Sequence, residues 1–430
     1  MTGPALFVLA LLVLTLGSGV WVGVSLMSIG IFSLEVFRNM KVERFLASDI
    51  WGSATAQELV TLPMFILMGE ILFHTRLSEN LFRGLSPWTR RLPGRLLHVN
   101  VMGCALFAAV SGSSAATTAT VGRITLPELL TRGYNRRLAM GSLAGAGTLG
   151  FLIPPSIPLI VYGVVADVSI LDLFVAGIVP GFLLAGAYML YLGGRTLLRP
   201  ELLPAREERV PWRQKLLSLG HLLPVVFLIV LVIGSMYAGL ASVTEAAAVG
   251  VAGALVIAAA QGSLTPTKLW AALLGAVKTC SMIGLILIGA LFLSKAMARL
   301  GVPVQLANTI EALELSPYML ILLLLVFYLL LGMILDGMSA IVMTLPVTLP
   351  LATAAGFDPV WFGVFLIITV EMAQVTPPVG FNLFVIQSLT REPIGRLALA
   401  AAPFCLIMAG FVVLITLWPE IVLYLPGTLK

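Results

Sequence analysis

The residues able to do chemistry in this chain fall into two matched pairs of short segments. Residues 112–120 read GSSAATTAT, an uncharged hydroxyl-rich stretch between the apolar runs VMGCALFAAV and VGRITLPELL. Ser111, Ser113, Ser114, Thr117 and Thr118 bring hydroxyl oxygens, while Gly112 and Ala115 let backbone approach closely. Unwound carbonyls with hydroxyls suit a dehydrated Na⁺, and helix N-termini pointing the other way favour an anion. The partner segment, LLGMILDGMSAIVMTLP (330–346), breaks at Asp336–Gly337. A charged Asp inside a bilayer costs about 3 kcal/mol or more, which marks Asp336 for a task such as balancing a cation.

Paired prolines make the second match, IPPSIP (153–158) and TPPVGFN (376–382). Proline removes a backbone donor and clashes with the preceding turn, so two together unwind a helix and release carbonyls. Ser156, Gly380 and Asn382 supply polar groups beside those breaks. Each feature has a plainer alternative: a close-packing face of small residues, a kink, or a salt bridge for Asp336, although no Lys or Arg is close to it in sequence. Matching unwound segments in two halves of one chain are the pattern of a transporter site.

Other chemistries find little support. His74, His98 and His221 form no HExxH and no Ser–His pairing, and Asp336 lacks a second aspartate for an acid dyad. Cys104, Cys280 and Cys405 lie in apolar segments without paired spacing, so neither a disulfide nor a metal site is indicated. Of the remaining intramembrane acids, Glu70 can pair with His74 one turn on, and Glu245 falls near a span's outer end. Glu371, one turn before the second unwound stretch, either titrates or packs against a polar neighbour.

The elements that must position these residues are helices in a membrane. The chain has 430 residues, 59% hydrophobic and only 10% charged, with mean hydropathy +1.06, against about 25% charged in ordinary soluble domains. Apolar runs of the roughly 20 residues that cross a bilayer recur from end to end. The longest polar stretch, RTLLRPELLPAREERVPWRQK (195–215), is too short to fold alone. The opening MTGPALFVLALLVLTLGSGVW lacks the basic start of a secretory signal and reads as a retained first span. The net charge of +5 reflects basic loops, not a nucleic-acid footprint.

Arg and Lys cluster at 83–95, 123–137 and 195–215, which places all three on the cytoplasmic side. With both its flanks inside, segment 96–122 must enter and return as a re-entrant hairpin with its tip near Ser111–Ala115; a simple span with a misplaced loop is the alternative. The second half repeats the first at a fixed offset: TLP at 125–127 recurs at 348–350, a shift of 223 (348 − 125) residues. Gly133 and Gly356, Pro154–Pro155 and Pro377–Pro378, and Pro180 and Pro403 share that shift. The chain thus reads as an all-α polytopic membrane protein of two repeats. The first covers 1–194, with a re-entrant hairpin near 96–130; the second covers 216–430, with its hairpin near 317–358, and 195–215 is a cytoplasmic linker. About five spans plus one hairpin per repeat would invert one repeat relative to the other. The segment 37–58, with Arg38, Lys41 and Arg44 where this topology wants the outer face, reads as a surface amphipathic helix whose inverted counterpart would be 268–280.

SGSSAATTATVGRITLPE, RGYNRRLAMGSLAGAGTLGFLIPPSIPLIVYG, TEAAAVG, LGMILDGMSAIVMTLPVTLP and QVTPPVGFNLF together resemble the large membrane subunit of the tripartite ATP-independent periplasmic (TRAP) transporters, over essentially the whole chain. The resemblance implies a bacterial or archaeal inner-membrane secondary transporter that is driven by a Na⁺ gradient and moves a hairpin-bearing transport domain against a scaffold, elevator-fashion. It implies organic-acid substrates (C4-dicarboxylates, 2-oxo acids, sialic acid), a periplasmic binding protein, a small membrane subunit, here expected as a separate polypeptide, and no cofactor beyond Na⁺ as coupling ion. Carried over by motif, Ser111, Gly112, Ser113, Ser114, Ala115 and Thr117 with Pro154, Pro155 and Ser156 would form one wall of the site. Asp336, Gly337 and Ser339 with Thr376, Pro377, Pro378, Gly380 and Asn382 would form the other. One Na⁺ is expected near Gly112, Ser113 and Pro154, and another near Asp336, Gly337 and Thr376. No charged residue suited to gripping a carboxylate is evident at either tip. A self-sufficient anion transporter of similar architecture, an intramembrane enzyme and a channel are the rival readings.

Overall fold

The structure, a computed structural model, describes the chain except residues 1–2, 39–41, 57, 205–209, 306–307, 309–315, 378–379 and 429–430. Lys41 and Pro378 therefore lie outside the described residues. The described elements are helices. Five are long and apolar enough to cross a membrane by length and composition, or seven if two bent pairs each count as one span.

Helices α1 (Gly3–Gly17), α2 (Val22–Arg38), α3 (Val42–Ala54), α4 (Glu58–Phe73) and α5 (Leu77–Thr89) precede two helices joined tip to tip, α6 (Leu97–Ser111) and α7 (Ser114–Thr131). At 15 residues, α6 reaches about 22 Å, short of the roughly 30 Å of a hydrocarbon core, which suits a segment that turns back. A broken rod follows: α8 (Arg136–Gly147) and α9 (Leu149–Leu152), then a bend of 40° at Ile153–Ser156, then α10 (Ile157–Ala166). Helix α11 (Ile170–Leu198) leads through the linker to α12 (Trp212–Leu219), α13 (Leu223–Tyr237), α14 (Val243–Ala260) and α15 (Pro266–Arg299). A second tip joins α16 (Pro317–Gly332) to α17 (Gly337–Ala354), and a second broken rod comprises α18 (Pro359–Gln374) and α19 (Phe381–Thr390). The chain closes with α20 (Ile394–Leu417) and α21 (Glu420–Thr428).

Caps explain where these helices start. Ser113 accepts from the N–H of Ala116 to open α7, and Asp336 accepts from that of Ser339 to open α17. Asn135 opens the first broken rod and Asp358 the second, each through its side-chain oxygen. Both pairs of caps keep the 223-residue shift (336 − 113 and 358 − 135). So do Gly133 and Gly356, both left-handed at φ +81° and +90°.

The two broken rods run antiparallel. Arg136, at the start of the first, contacts Glu392 at 2.9 Å just past the end of the second. At the other end, Tyr162 of α10 donates to the carbonyl of Pro359 at 2.6 Å, where the second rod begins. Helix α8 lies so close to α20 that a Cβ on Gly141 would fall 2.2 Å from the carbonyl oxygen of Ala400, and Gly145 sits under Phe404. Small residues at i and i+4 permit this approach.

The three basic clusters converge on one face. Arg95 donates to the carbonyl of Pro204 at 2.8 Å, the N–H of Leu96 to the hydroxyl of Tyr134 at 3.3 Å, and Ser218 to the carbonyl of Gly84 at 3.2 Å. The segment 37–58 does contain a helix, α3, but 268–280 is no separate surface helix; it is the first part of the continuous 34-residue α15. Of the three cations that fitted the charge rule poorly, Arg38 has a partner across α15, and basic residues of α15 pack back onto α3. Arg38 donates to the carbonyl of Arg299 at the C-terminus of α15 at 2.7 Å, Lys295 pairs with Asp49 of α3, and the guanidinium of Arg299 lies 3.7 Å from the Phe45 ring. Helix C-termini attract cations, and such contacts hold charge without reference to loop topology.

Candidate functional site

At the first tip the chain must reverse within two residues. Gly112 does so at φ +58°, and its N–H donates back to Ala108 at 3.0 Å. A Cβ on Gly112 would lie 3.0 Å from both the N of Ile157 and the carbonyl oxygen of Pro155. The tip is thus seated against the first proline break, where the N–H of Ile157 donates to the carbonyl of Gly112 at 3.4 Å. Gly150 makes the same approach possible from the other side: its Cβ would fall 2.7 Å from the Cα of Ser114. Ser111 and Thr117 share a hydrogen bond of 2.9 Å. The second tip is held more simply, by Asp336 capping α17 through the N–H of Ser339 at 3.1 Å.

The tips and the breaks meet around one cavity of about 620 Å³. From the first tip it takes Ser111, Gly112, Ser113, Ser114 and Ala115; from the second, Asp336 and Gly337. The proline breaks contribute Phe151, Ile157 and Pro158 on one side and Gln374, Phe381 and Asn382 on the other, while α4 and α15 close it with Glu70, Phe73 and Thr279. Among the described lining residues the charged side chains are two carboxylates, Glu70 and Asp336, with no Lys, Arg or His. An anion held here must rely on N–H groups, hydroxyls and amides, or on a cation bound alongside it.

Several expected residues support the cavity from behind. Thr117 is buried against Ser111. Ser156 is fully buried, donating to the carbonyl of Phe151 and accepting from the N–H of Leu159 at 3.4 Å, so its hydroxyl serves the break itself. Thr376 turns back to the carbonyl of Met372 at 2.6 Å. Pro154, Pro155, Ser339, Pro377 and Gly380 shape the backbone without lining the space, Gly380 in a left-handed conformation at φ +46°.

The residue that sequence reasoning undervalued is Glu371. It is buried, and its Oε2 accepts from Ser114 at 2.9 Å and from Asn382 at 3.4 Å, while Asn382 also donates to Ser114 at 2.6 Å. The N-terminus of α7 is thereby tied to the second broken rod. The other oxygen, Oε1, is buried without a hydrogen-bond partner, as is the hydroxyl of Thr118 one turn after Ser114. Of the two readings open for this acid, the polar packing is present. Gln374 adds a second link, donating to the unwound carbonyl of Leu335 at 3.3 Å. Glu70 lies 3.8 Å from His74, beyond hydrogen-bond reach. Burial, then the charge of Lys268, hold the His74 imidazole below its usual pKa. Glu245 closes a capping box with Ser242 at the start of α14.

This arrangement belongs to polytopic membrane transporters. The YdaH transporter of Alcanivorax borkumensis shares the fold, with a TM-score of 0.61 at 16% identity over 87% of each chain. The chain belongs to the family of the tripartite ATP-independent periplasmic transporter, DctM component, whose family model matches residues 7–421. It is 33% identical over 404 residues to the C4-dicarboxylate TRAP transporter large permease protein DctM of Pseudomonas aeruginosa, covering 94% of this chain and 92% of that one. It is 29% identical to the isethionate TRAP transporter permease protein DctMQ of Oleidesulfovibrio alaskensis, covering 99% of this chain and 66% of that longer one. The chain is a transporter permease subunit and not an enzyme.

Proposed function

We propose that this permease imports an organic acid, a dicarboxylate, 2-oxo acid or sialic-acid-like molecule, together with Na⁺ across the inner membrane of a bacterium or archaeon. A periplasmic binding protein delivers the substrate, and a small membrane subunit buttresses the scaffold. The observation that carries the reading is the convergence of both tips and both proline breaks on one cavity that holds carboxylates but no basic side chain among its described lining residues. Oxygen donors suit Na⁺: the hydroxyls of Ser111 and Ser113 at the first tip, and the Asp336 carboxylate at the second. A bound cation there would supply the charge that an acid substrate lacks on the protein. The relatives carry acids of different kinds, a C4-dicarboxylate and isethionate, which agrees with a site that reads an anion through ion, amide and hydroxyl.

The moving body would comprise α6–α10 and α16–α19, sliding against α2, α4, α14 and α15, with the two repeats inverted as the antiparallel rods suggest. One net positive charge entering down 100 mV gains about 2.3 kcal/mol, enough for roughly fifty-fold accumulation. The test is uptake of labelled acids into liposomes holding the permease and its small subunit, with the binding protein outside. Uptake should require both an inward Na⁺ gradient and the binding protein. Equal uptake with choline in place of Na⁺ would refute the coupling, and equal uptake without the binding protein would favour a self-sufficient transporter.

A further inference from the structure

A cavity for an acid gains nothing in affinity from carboxylates on its wall, yet two line this one, and they stand on different bodies. Asp336 belongs to the second tip, where it caps α17. Glu70 belongs to the last turn of α4, which the proposed motion leaves in place. Two glycines position it. Gly69 lets the first tip rest on α4: a Cβ there would lie 3.2 Å from the carbonyl oxygen of Ser111 and 3.3 Å from its Cα. Gly275 of α15 opens a notch for the carboxyl group, where a Cβ would meet Oε2 at 2.7 Å and Oε1 at 3.2 Å. The carboxyl is thus held between two scaffold helices, beside the tip, with the side chain still 28% exposed. Among the described residues its nearest basic group is His74 at 3.8 Å, and burial and the charge of Lys268 keep less of that imidazole protonated.

Glu70 also marks one end of a track. Helix α4 ends toward the basic cluster at 83–95, and His74, just past that end, lies with Lys268 at the start of α15. Toward their opposite ends the same two helices line a separate cleft of about 630 Å³ with Thr61, Leu291 and Lys295. Asp167 and Ser169, at the turn between α10 and α11, close that cleft from the side of the moving body. Thr279 and Ile283 of the transport cavity and Leu291 and Lys295 of the outer cleft follow one another in steps of four along α15. A body sliding along that face brings its cavity against Glu70 only at the cytoplasmic end of its travel.

We propose that Glu70 is the residue that discharges the acid: at the inner end of the stroke its carboxylate repels the bound anion and lowers the affinity of the inward-placed site, leaving the outward-placed one untouched. Like charges brought face to face cost affinity, and partly buried charges are screened little by salt. The inference rests on the transport function proposed above, and it gives the fixed wall a part in the direction of transport.

The test places the permease and its small subunit in liposomes with the binding protein outside, so that only molecules with their outer face outward take part. The probe is labelled succinate, pyruvate or sialic acid, whichever the native chain takes up. The same acid, unlabelled and sealed inside with Na⁺ at rising concentration, slows uptake by occupying the inward-placed site. Half-inhibition should come at about tenfold less internal acid in Glu70→Gln, and likewise in Glu70→Ala, which removes the charge by a different route. Glu70→Asp, which keeps the charge, should stay within about twofold of the native value. The external concentration for half-maximal uptake should be the same in all four proteins. Unchanged half-inhibition in the two neutral variants would overturn the proposal. So would an equal shift in Glu70→Asp, which would leave Glu70 as packing over Gly275. A native chain that takes up none of the three acids would overturn the transport reading, and this inference with it.

Discussion

Ser114 and Glu371 stand 257 residues apart in sequence, and their side chains meet at 2.9 Å. The hydroxyl belongs to the first turn of α7 and the carboxyl to the last turn of the rod before the second proline break. Asn382, just beyond that break, donates to both. A tip from the first half is thereby fixed to a break in the second, so neither can move without the other.

Coupling between the two residues is therefore expected. Ser114→Ala and Glu371→Leu should each lower stability by about 1–3 kcal/mol, because each removes a hydrogen-bonding group on which a buried partner relies. Their double variant should lose less than the sum, with a coupling of about 0.5–3 kcal/mol. Thermal unfolding in detergent of the four proteins completes the cycle. Strict additivity would show that the contact carries no energy.

Asp336 offers a cleaner separation of structure from function. It caps α17, a task Asn performs as well, so Asp336→Asn should melt within about 0.5 kcal/mol of the native protein. Asp336→Ala should lose about 1 kcal/mol with the cap. If the carboxylate also holds Na⁺, both variants should need about tenfold more Na⁺ for half-maximal uptake. An unchanged Na⁺ requirement in Asp336→Asn would leave Asp336 as a cap alone.

Much of this site is legible in the sequence because its signals are local. Paired prolines do break their rods, whereas single Pro180, Pro346 and Pro403 sit inside continuous helices, where one lost hydrogen bond is absorbed. Gly112 and Ser113 announce a tip because one residue must turn left-handed and the next must cap. The role of Glu371 is not local. Its neighbours in sequence are apolar helix residues, and its partners come from α7 and from beyond the break. The contacts of segment 37–58 are equally non-local: Arg38 reaches the carbonyl of Arg299, and Lys295 and Arg299 of α15 reach Asp49 and Phe45 of α3. Asp49 also lies there, paired with Lys295 across 246 residues. Residues such as Ser156 and Thr376 have the right types for ligands, but their own backbone uses their hydroxyls, and only coordinates distinguish the two.

The first tip should tolerate no side chain. Gly112→Ala would place a Cβ against backbone on Ile157 and Pro155 in a left-handed conformation, at a cost of about 1–2 kcal/mol. Gly150→Ala should be at least as damaging, since its Cβ would press on the Cα of Ser114 at 2.7 Å and the carbonyl oxygen of Ser113 at 2.8 Å. Both should depress uptake more than expression, because the strain falls where the tip seats. Native uptake rates in Gly112→Ala would mean that the tip is not held as described.

The two ends of the antiparallel rods should respond differently to salt. Arg136 is half exposed, so its contact with Glu392 is screened, and Arg136→Gln should cost about 0.2–1 kcal/mol at low ionic strength. At about 1 M salt, where the screening length falls to about 3 Å, that cost should vanish. Tyr162 is buried, and its hydrogen bond to Pro359 involves no charge on either side. Tyr162→Phe should therefore cost about 0.5–1.5 kcal/mol, and the same amount at both ionic strengths. Melting each variant at low and high salt tests both ends at once. A salt-independent loss in Arg136→Gln would mean that its hydrogen bond to the carbonyl of Thr390, at 3.4 Å, and not the ion pair, holds that end.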